Sequence, residues 1–233
     1  MFFNILKRLT SARATKLEAR KKVRSIFQST MMIKKVIVVH HETSLPIFEK
    51  DVDINAIVDP SIITGVLQAI STIGTEMMGA PTGVKRIEYY GFEIISAYSG
   101  AYTVYVFSET ELEPEFEKGV DNIALWFNLI FGYDSANWDG SMDIYNEYKS
   151  SIEEKVSKEL FLWLLYPIFI PDKELDTSSL KRIEREIITA ICQEANTTVM
   201  KLMDILDEYE HEEILYHLFN LVESENVITT YTD

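Results

Sequence analysis

The sequence predicts an α+β fold: a five-stranded antiparallel sheet with flanking helices, then an α-rich C-terminal domain closed by a short strand. Three observations predict it. Residues 84–109, VKRIEYYGFEIISAYSGAYTVYVFSE, alternate in polarity and are broken at Tyr90-Gly91 and Ser99-Gly100, where glycine permits a tight reversal. Two strand-like runs and a long amphipathic stretch precede this meander. After Pro167 and Pro171, three helical patterns follow one another and end in a β-branched tail.

Taken in order, the folded part opens at Ile33–His40, IKKVIVVH, a β-branched run that reads as a central strand. Glu42-Thr43-Ser44 turns the chain and Leu45–Glu49 returns as a second strand. Asp59-Pro60 supplies an N-cap acceptor and a proline at the first helical position. The helix they begin carries Ile62, Val66, Ala69 or Ile70, Ile73 and Met77 on one stripe and stops at Gly79-Ala80-Pro81. The meander then supplies three strands. Its last run sets Tyr102, Val104 and Val106 against Thr103, Tyr105 and Phe107, the pattern of a strand covered on both sides.

Thr110 to Glu113 has capping-box spacing, and Pro114 and Glu115 suit a first helical turn. The helix that follows, over 115–133, has two apolar stripes. Phe116, Val120, Ile123, Phe127 and Ile130 form one; Trp126, Leu129 and Tyr133 form the other. Another helix is expected from about Met142 to about Leu165. In the last portion, Leu180–Gln193, Thr198–Leu206 and 212–223 read as helices, and Val227–Tyr231 as a terminal strand. The expected domains are a basic amphipathic extension over 1–31, a sheet domain over 32–165, a linker over 166–179 and the α-rich domain over 180–233.

At 233 residues with 47% apolar and 25% charged residues, the chain has enough material for real cores. Its single cysteine, Cys192, excludes an internal disulfide framework and a cysteine-built zinc site, and fits a reducing, cytoplasmic setting. At the end of an apolar helical face, it is expected to be a buried, inert thiol. Charge is divided unevenly. Residues 1–30 hold eight Lys or Arg against Glu18, a net +7; with −15 overall, residues 31–233 carry −22. Most of the surface therefore repels phosphate backbones and anionic lipid. Residues 2–12 place Phe2, Phe3 and Leu6 on an apolar helical face with Lys7 and Arg8 opposite. Three readings fit this segment: a peripheral helix on an anionic membrane, a basic targeting presequence, or a translation start at Met31 or Met32. The longest apolar run, Leu160–Pro171, is too short to span a bilayer and contains Pro167.

The order strand, strand, helix, three strands, helix resembles the longin and roadblock family of profilin-like domains. IKKVIVVHH, SLPIFEK, DPSIITGVLQAISTIG and the meander carry the resemblance, over 33 to about 160. It implies a part in vesicle trafficking or small-GTPase regulation, usually as a homo- or heterodimer. The tail from Ile183 to Tyr231 resembles a winged-helix domain. Longin followed by winged helix is similar to folliculin and the nitrogen-permease-regulator-like proteins, which act on GTPases; this chain is far shorter.

No Gly-x-Ser-x-Gly, Walker-type loop or HExxH occurs, so no catalytic residue, cofactor or metal is expected. His40 and His41 are adjacent on a strand and diverge, and His211 and His217 share no helical face well. From Leu202 to Asp233 nine acids stand without a lysine or arginine, and Glu212 and Glu213 begin the presumed recognition helix, so nucleic acid is not an expected partner. The expected activity is non-enzymatic docking. Glu212 and Glu213 would meet a basic partner. Trp126, Leu129 and Tyr133, together with Phe161 and Trp163 of LFLWLLYPIFIP, exceed what one small domain buries easily and are expected to meet a longin or roadblock chain or a Ras-like GTPase. The alternative is a transcriptional regulator with a sensor-like N-terminal domain.

Overall fold

Strands β1 (Ile33–His40), β2 (Pro46–Asp51), β3 (Lys85–Tyr89), β4 (Phe92–Ser99) and β5 (Tyr102–Ser108) build one antiparallel sheet in the order β2-β1-β5-β4-β3. The computed structural model describes residues 15–41, 43–52, 85–89, 92–135, 138, 140–172 and 179–231. The expected helix after Asp59-Pro60 and the Tyr90-Gly91 turn lie outside these residues. β1 takes the central place its β-branched run predicts, pairing Val38 with Phe48 on one side and with Val104 on the other. β4 and β5 reverse at Gly100, whose φ of +58° suits a residue without a Cβ.

Both faces of this sheet are buried. On one, Val36, Val38, Ile95, Tyr102, Val104 and Val106 are fully enclosed. Helix α2 (Pro114–Ser135) lies there and packs Phe127, tilted, and Phe131, edge-on, against Tyr102, whose hydroxyl donates to the Phe131 carbonyl at 3.2 Å. On the other, Ile37, Val39, Ile94 and Tyr105 cluster, with Ile87 and Phe107 packed against them. Burial pushes the Tyr105 phenol up to about 12, against a smaller opposing effect of its hydrogen bond with Thr103.

The single helix expected from Met142 to Leu165 is divided. Helix α3 (Asp143–Glu147) and helix α4 (Lys149–Glu159) are separated at Tyr148. The chain then turns at Phe161, in the left-handed region at φ 55°, into a single 3-10 turn over Leu162–Leu165. Residues 160–164 are all buried. A continuous helix would point these five apolar side chains around its whole circumference, and the left-handed residue redirects them inward.

Contacts divide the chain at this point. Met32–Leu160 is one compact unit; Phe161–Asp233 joins Met1–Met31 in the other. The boundary therefore falls inside the Leu160–Pro171 run, ahead of the expected domain end at 165, and the expected linker contributes strand β6 (Ile168–Phe169). Helix α1 (Lys16–Met32) is placed in the second unit and not in an extension of its own, with Ala19, Val23, Ile26 and Phe27 buried. Helices α5 (Arg182–Gln193), α6 (Val199–Ile205) and α7 (His211–Glu223) follow, close to the predicted boundaries. Thr198 caps α6, its hydroxyl accepting from the Lys201 N–H. Strand β7 (Ile228–Thr229) pairs antiparallel with β6, and the Ile168 N–H donates to the Thr197 carbonyl at 2.9 Å.

Candidate docking surfaces

On α2 the period of 3.6 residues separates two faces. Phe116, Val120, Ile123 and Phe127 are fully buried, as their spacing predicts. Leu125 is 51% exposed, Leu129 81% and Tyr133 95%. Ile130, expected on the inward stripe, is exposed as well, since it lies at the margin of the buried arc. Trp126 is half-buried, edge-on to Phe127 and Phe131, so it borders the exposed stripe. Leu125 is the residue missed in the sequence; its signal was the four-residue spacing from Leu125 through Leu129 to Tyr133.

The opposite end of α2 is pinned. Arg86 on β3 reaches Glu117 at 2.5 Å, Glu93 at 2.6 Å, Glu111 at 3.1 Å and the Leu112 carbonyl at 2.8 Å. Glu93 in turn accepts from the Leu112 N–H at 2.9 Å. One guanidinium thus joins the edge strand, the neighbouring strand and the start of the helix.

Phe161 and Trp163, expected to meet a partner, are core residues. They are 3% and 0% exposed, and their rings stand 6.3 and 5.1 Å from that of Phe219 on α7. Burial against an aromatic of the same unit accounts for these two rings. Glu212 and Glu213 are also engaged within the chain. Arg20 of α1 is paired with Glu213, Arg24 lies 3.4 Å from Glu212, and the Lys16 ammonium stands 5.9 Å over the Tyr216 ring. The cationic face of α1 therefore meets the first turns of α7. Carboxylates suit that end of the helix dipole as well. Beside them is an open polar cleft of about 250 Å³, lined by Arg24, Asp207, Glu208, Tyr209, Glu210, His211 and Glu212.

Inside this unit His217 is 1% exposed, its Nδ1 2.7 Å from Glu184 Oε1. Burial lowers the His217 pKa, with Lys181 and Lys16 adding to the effect and Glu184 opposing it. Burial alone would raise that of Glu184. The Lys181 N–H and His217 outweigh it and hold the carboxyl below its ordinary range. His40 is buried too, its Nδ1 3.1 Å from the Thr43 hydroxyl and its ring edge-on to Tyr102 and Trp138. Cys192 departs from expectation: it is exposed, because the buried arc of α5 closes with Ile191. Among the described residues no group of His, Cys, Asp or Glu converges as a metal site, and no helix is long and apolar enough to cross a membrane. Phe2, Phe3, Leu6, Lys7 and Arg8 lie outside the described residues.

No family model matches the chain, and no curated protein matches it.

Proposed function

We propose that the protein is a non-enzymatic adaptor in small-GTPase regulation or membrane-traffic-like assembly. Its sheet unit would act as a longin-like module and its helical unit as an acidic winged-helix-like one. The carrying observation is the stripe on α2: Leu125, Leu129 and Tyr133 stand exposed on a helix whose other face is locked to the sheet. The strand order β2-β1-β5-β4-β3 and the helix lying over β4 and β5 support the longin-like reading. Three helices closed by the β6–β7 pair support the winged-helix-like one. Its acidic α7, already met by Arg20 and Arg24, favours protein contacts over phosphate contacts.

The test is affinity capture from a native lysate with the full chain and with its Leu129→Asp variant. Recovery of a Ras-like GTPase or a longin or roadblock chain by the parent, lost in the variant, is the expected result. Tight, sequence-selective duplex binding in gel shifts at low salt overturns the proposal in favour of a transcriptional regulator.

A further inference from the structure

We infer that the exposed stripe of α2 is the contact by which two copies of this chain pair, antiparallel, about a two-fold axis passing between Leu125 and Leu129. The inference rests on the adaptor reading and gives that reading a specific partner for this face.

The ridge Asp121–Leu125–Leu129–Tyr133 repeats every four residues, so its members lie in one inclined row on the helix surface. A two-fold axis through its midpoint sets Leu125 of one copy on Leu129 of the other. The same operation brings Tyr133 of each copy to Asp121 of its mate, where a phenol O–H can donate to a carboxylate. The row is therefore complementary to itself, the condition an isologous interface imposes.

Area agrees. Leu125, Leu129, Ile130 and Tyr133 are 51, 81, 41 and 95% exposed. Taking roughly 150–250 Å² for a whole aromatic side chain and somewhat less for an aliphatic one, they offer about 400–500 Å². Two copies face to face remove at most about 800–1,000 Å² from water, at the bottom of the range for a specific interface, and half-buried Trp126 at the margin adds to it. Charge agrees too. The chain carries −15, so two copies repel over most of their surface. Residues 122–133 contain no charged side chain, which makes this a face where a second copy meets little repulsion. A basic partner would be drawn instead to the acidic surface elsewhere.

The test is sedimentation of the full chain over a concentration series. A monomer–dimer equilibrium with a dissociation constant of about 1–100 μM is expected. Leu129→Asp, at a position too exposed to affect folding, raises that constant by about 30-fold or more. Raising NaCl from about 0.05 to 0.5 M tightens the dimer, because salt screens the repulsion of two acidic bodies. In a Cys192→Ser background, Leu125→Cys with Leu129→Cys crosslinks the two chains under mild oxidation. Leu17→Cys, on α1 and also exposed, serves as the surface control and does not crosslink. A monomer throughout, a dimer that Leu129→Asp leaves intact, or one that salt dissociates overturns the inference. A strictly monomeric chain that still captures a Ras-like GTPase through Leu129 refutes self-pairing and spares the adaptor reading. A dimer that captures no other protein does the reverse.

Discussion

Gly119 and Gly132 both lie on α2, and replacing each with alanine is expected to change stability in opposite directions. In a helix interior, alanine is better than glycine by about 1 kcal/mol, so propensity alone favours both substitutions. The surroundings differ. A Cβ at Gly119 would sit against the Glu159 carbonyl oxygen, far inside van der Waals contact, with the carbonyl carbon at 3.1 Å and Leu160 Cδ2 at 3.5 Å. That neighbour is backbone at the end of α4, held beside α2 by the Asn122 to Glu159 hydrogen bond at 2.9 Å. Relief requires the two helices to part by several tenths of an ångström, an overpacking cost of about 1–3 kcal/mol. A Cβ at Gly132 would meet only the Asn128 side chain, with Oδ1 at 2.8 Å, and that amide can rotate away. Gly119→Ala is therefore expected to lose about 1 kcal/mol net, with up to about 2 if the helices yield little. Gly132→Ala is expected to be neutral or to gain up to about 1 kcal/mol. With a urea slope of about 2 kcal/mol/M, the midpoint falls by about 0.5–1 M for the first and rises by up to about 0.5 M for the second. Urea titration of the full chain, followed by hydrogen exchange of the α2 amides, measures both. A higher midpoint for Gly119→Ala would refute the close approach of α2 and α4.

Two further outcomes are expected. Arg86→Met removes the guanidinium shared by Glu93, Glu111, Glu117 and the Leu112 carbonyl, and costs about 2 kcal/mol, seen as earlier urea unfolding of the sheet unit. Arg86→Lys recovers only part of the loss, since one ammonium cannot span those acceptors. His217 and Glu184 both have folded-state pKa values below their ordinary 6.5 and 4.5. For each, the unfolded chain takes up the proton first as pH falls. Their contribution is complete above about pH 6.5, and is lost first through His217 and then through Glu184. The thermal midpoint should thus drop on acidification from pH 7 to 5, and His217→Gln should flatten that drop; a midpoint unchanged down to pH 5 contradicts the buried pair.

Local information located most of the elements. The strand boundaries of β1 and the meander, the start of α2 at Pro114 and the helices after residue 180 all follow from side-chain period, glycine and caps acting within a few residues. The inward stripe of α2 was legible for the same reason, since a period of 3.6 needs no knowledge of neighbours. Ile130 was misplaced because it sits at the margin of that arc, where only the width of the opposing sheet decides exposure. Phe161 and Trp163 show the complementary difficulty. An apolar run signals burial or contact equally well, and choosing between them required knowing that Phe219, nearly sixty residues later, comes to rest against both.

By itself the sequence determined an α+β chain with an antiparallel meander, a strongly acidic body, a basic N-terminal segment and no recognised catalytic motif. These are properties of composition and short-range pattern. Tertiary structure alone decided that α1 belongs with the C-terminal helices, that its arginines pair with Glu212 and Glu213, and that Arg86 gathers three carboxylates. It also decided that Leu125, Leu129 and Tyr133 are left facing water. The reason is physical: periodicity defines a face, but which faces find partners depends on how distant segments fold together, and that is set by packing across the whole chain.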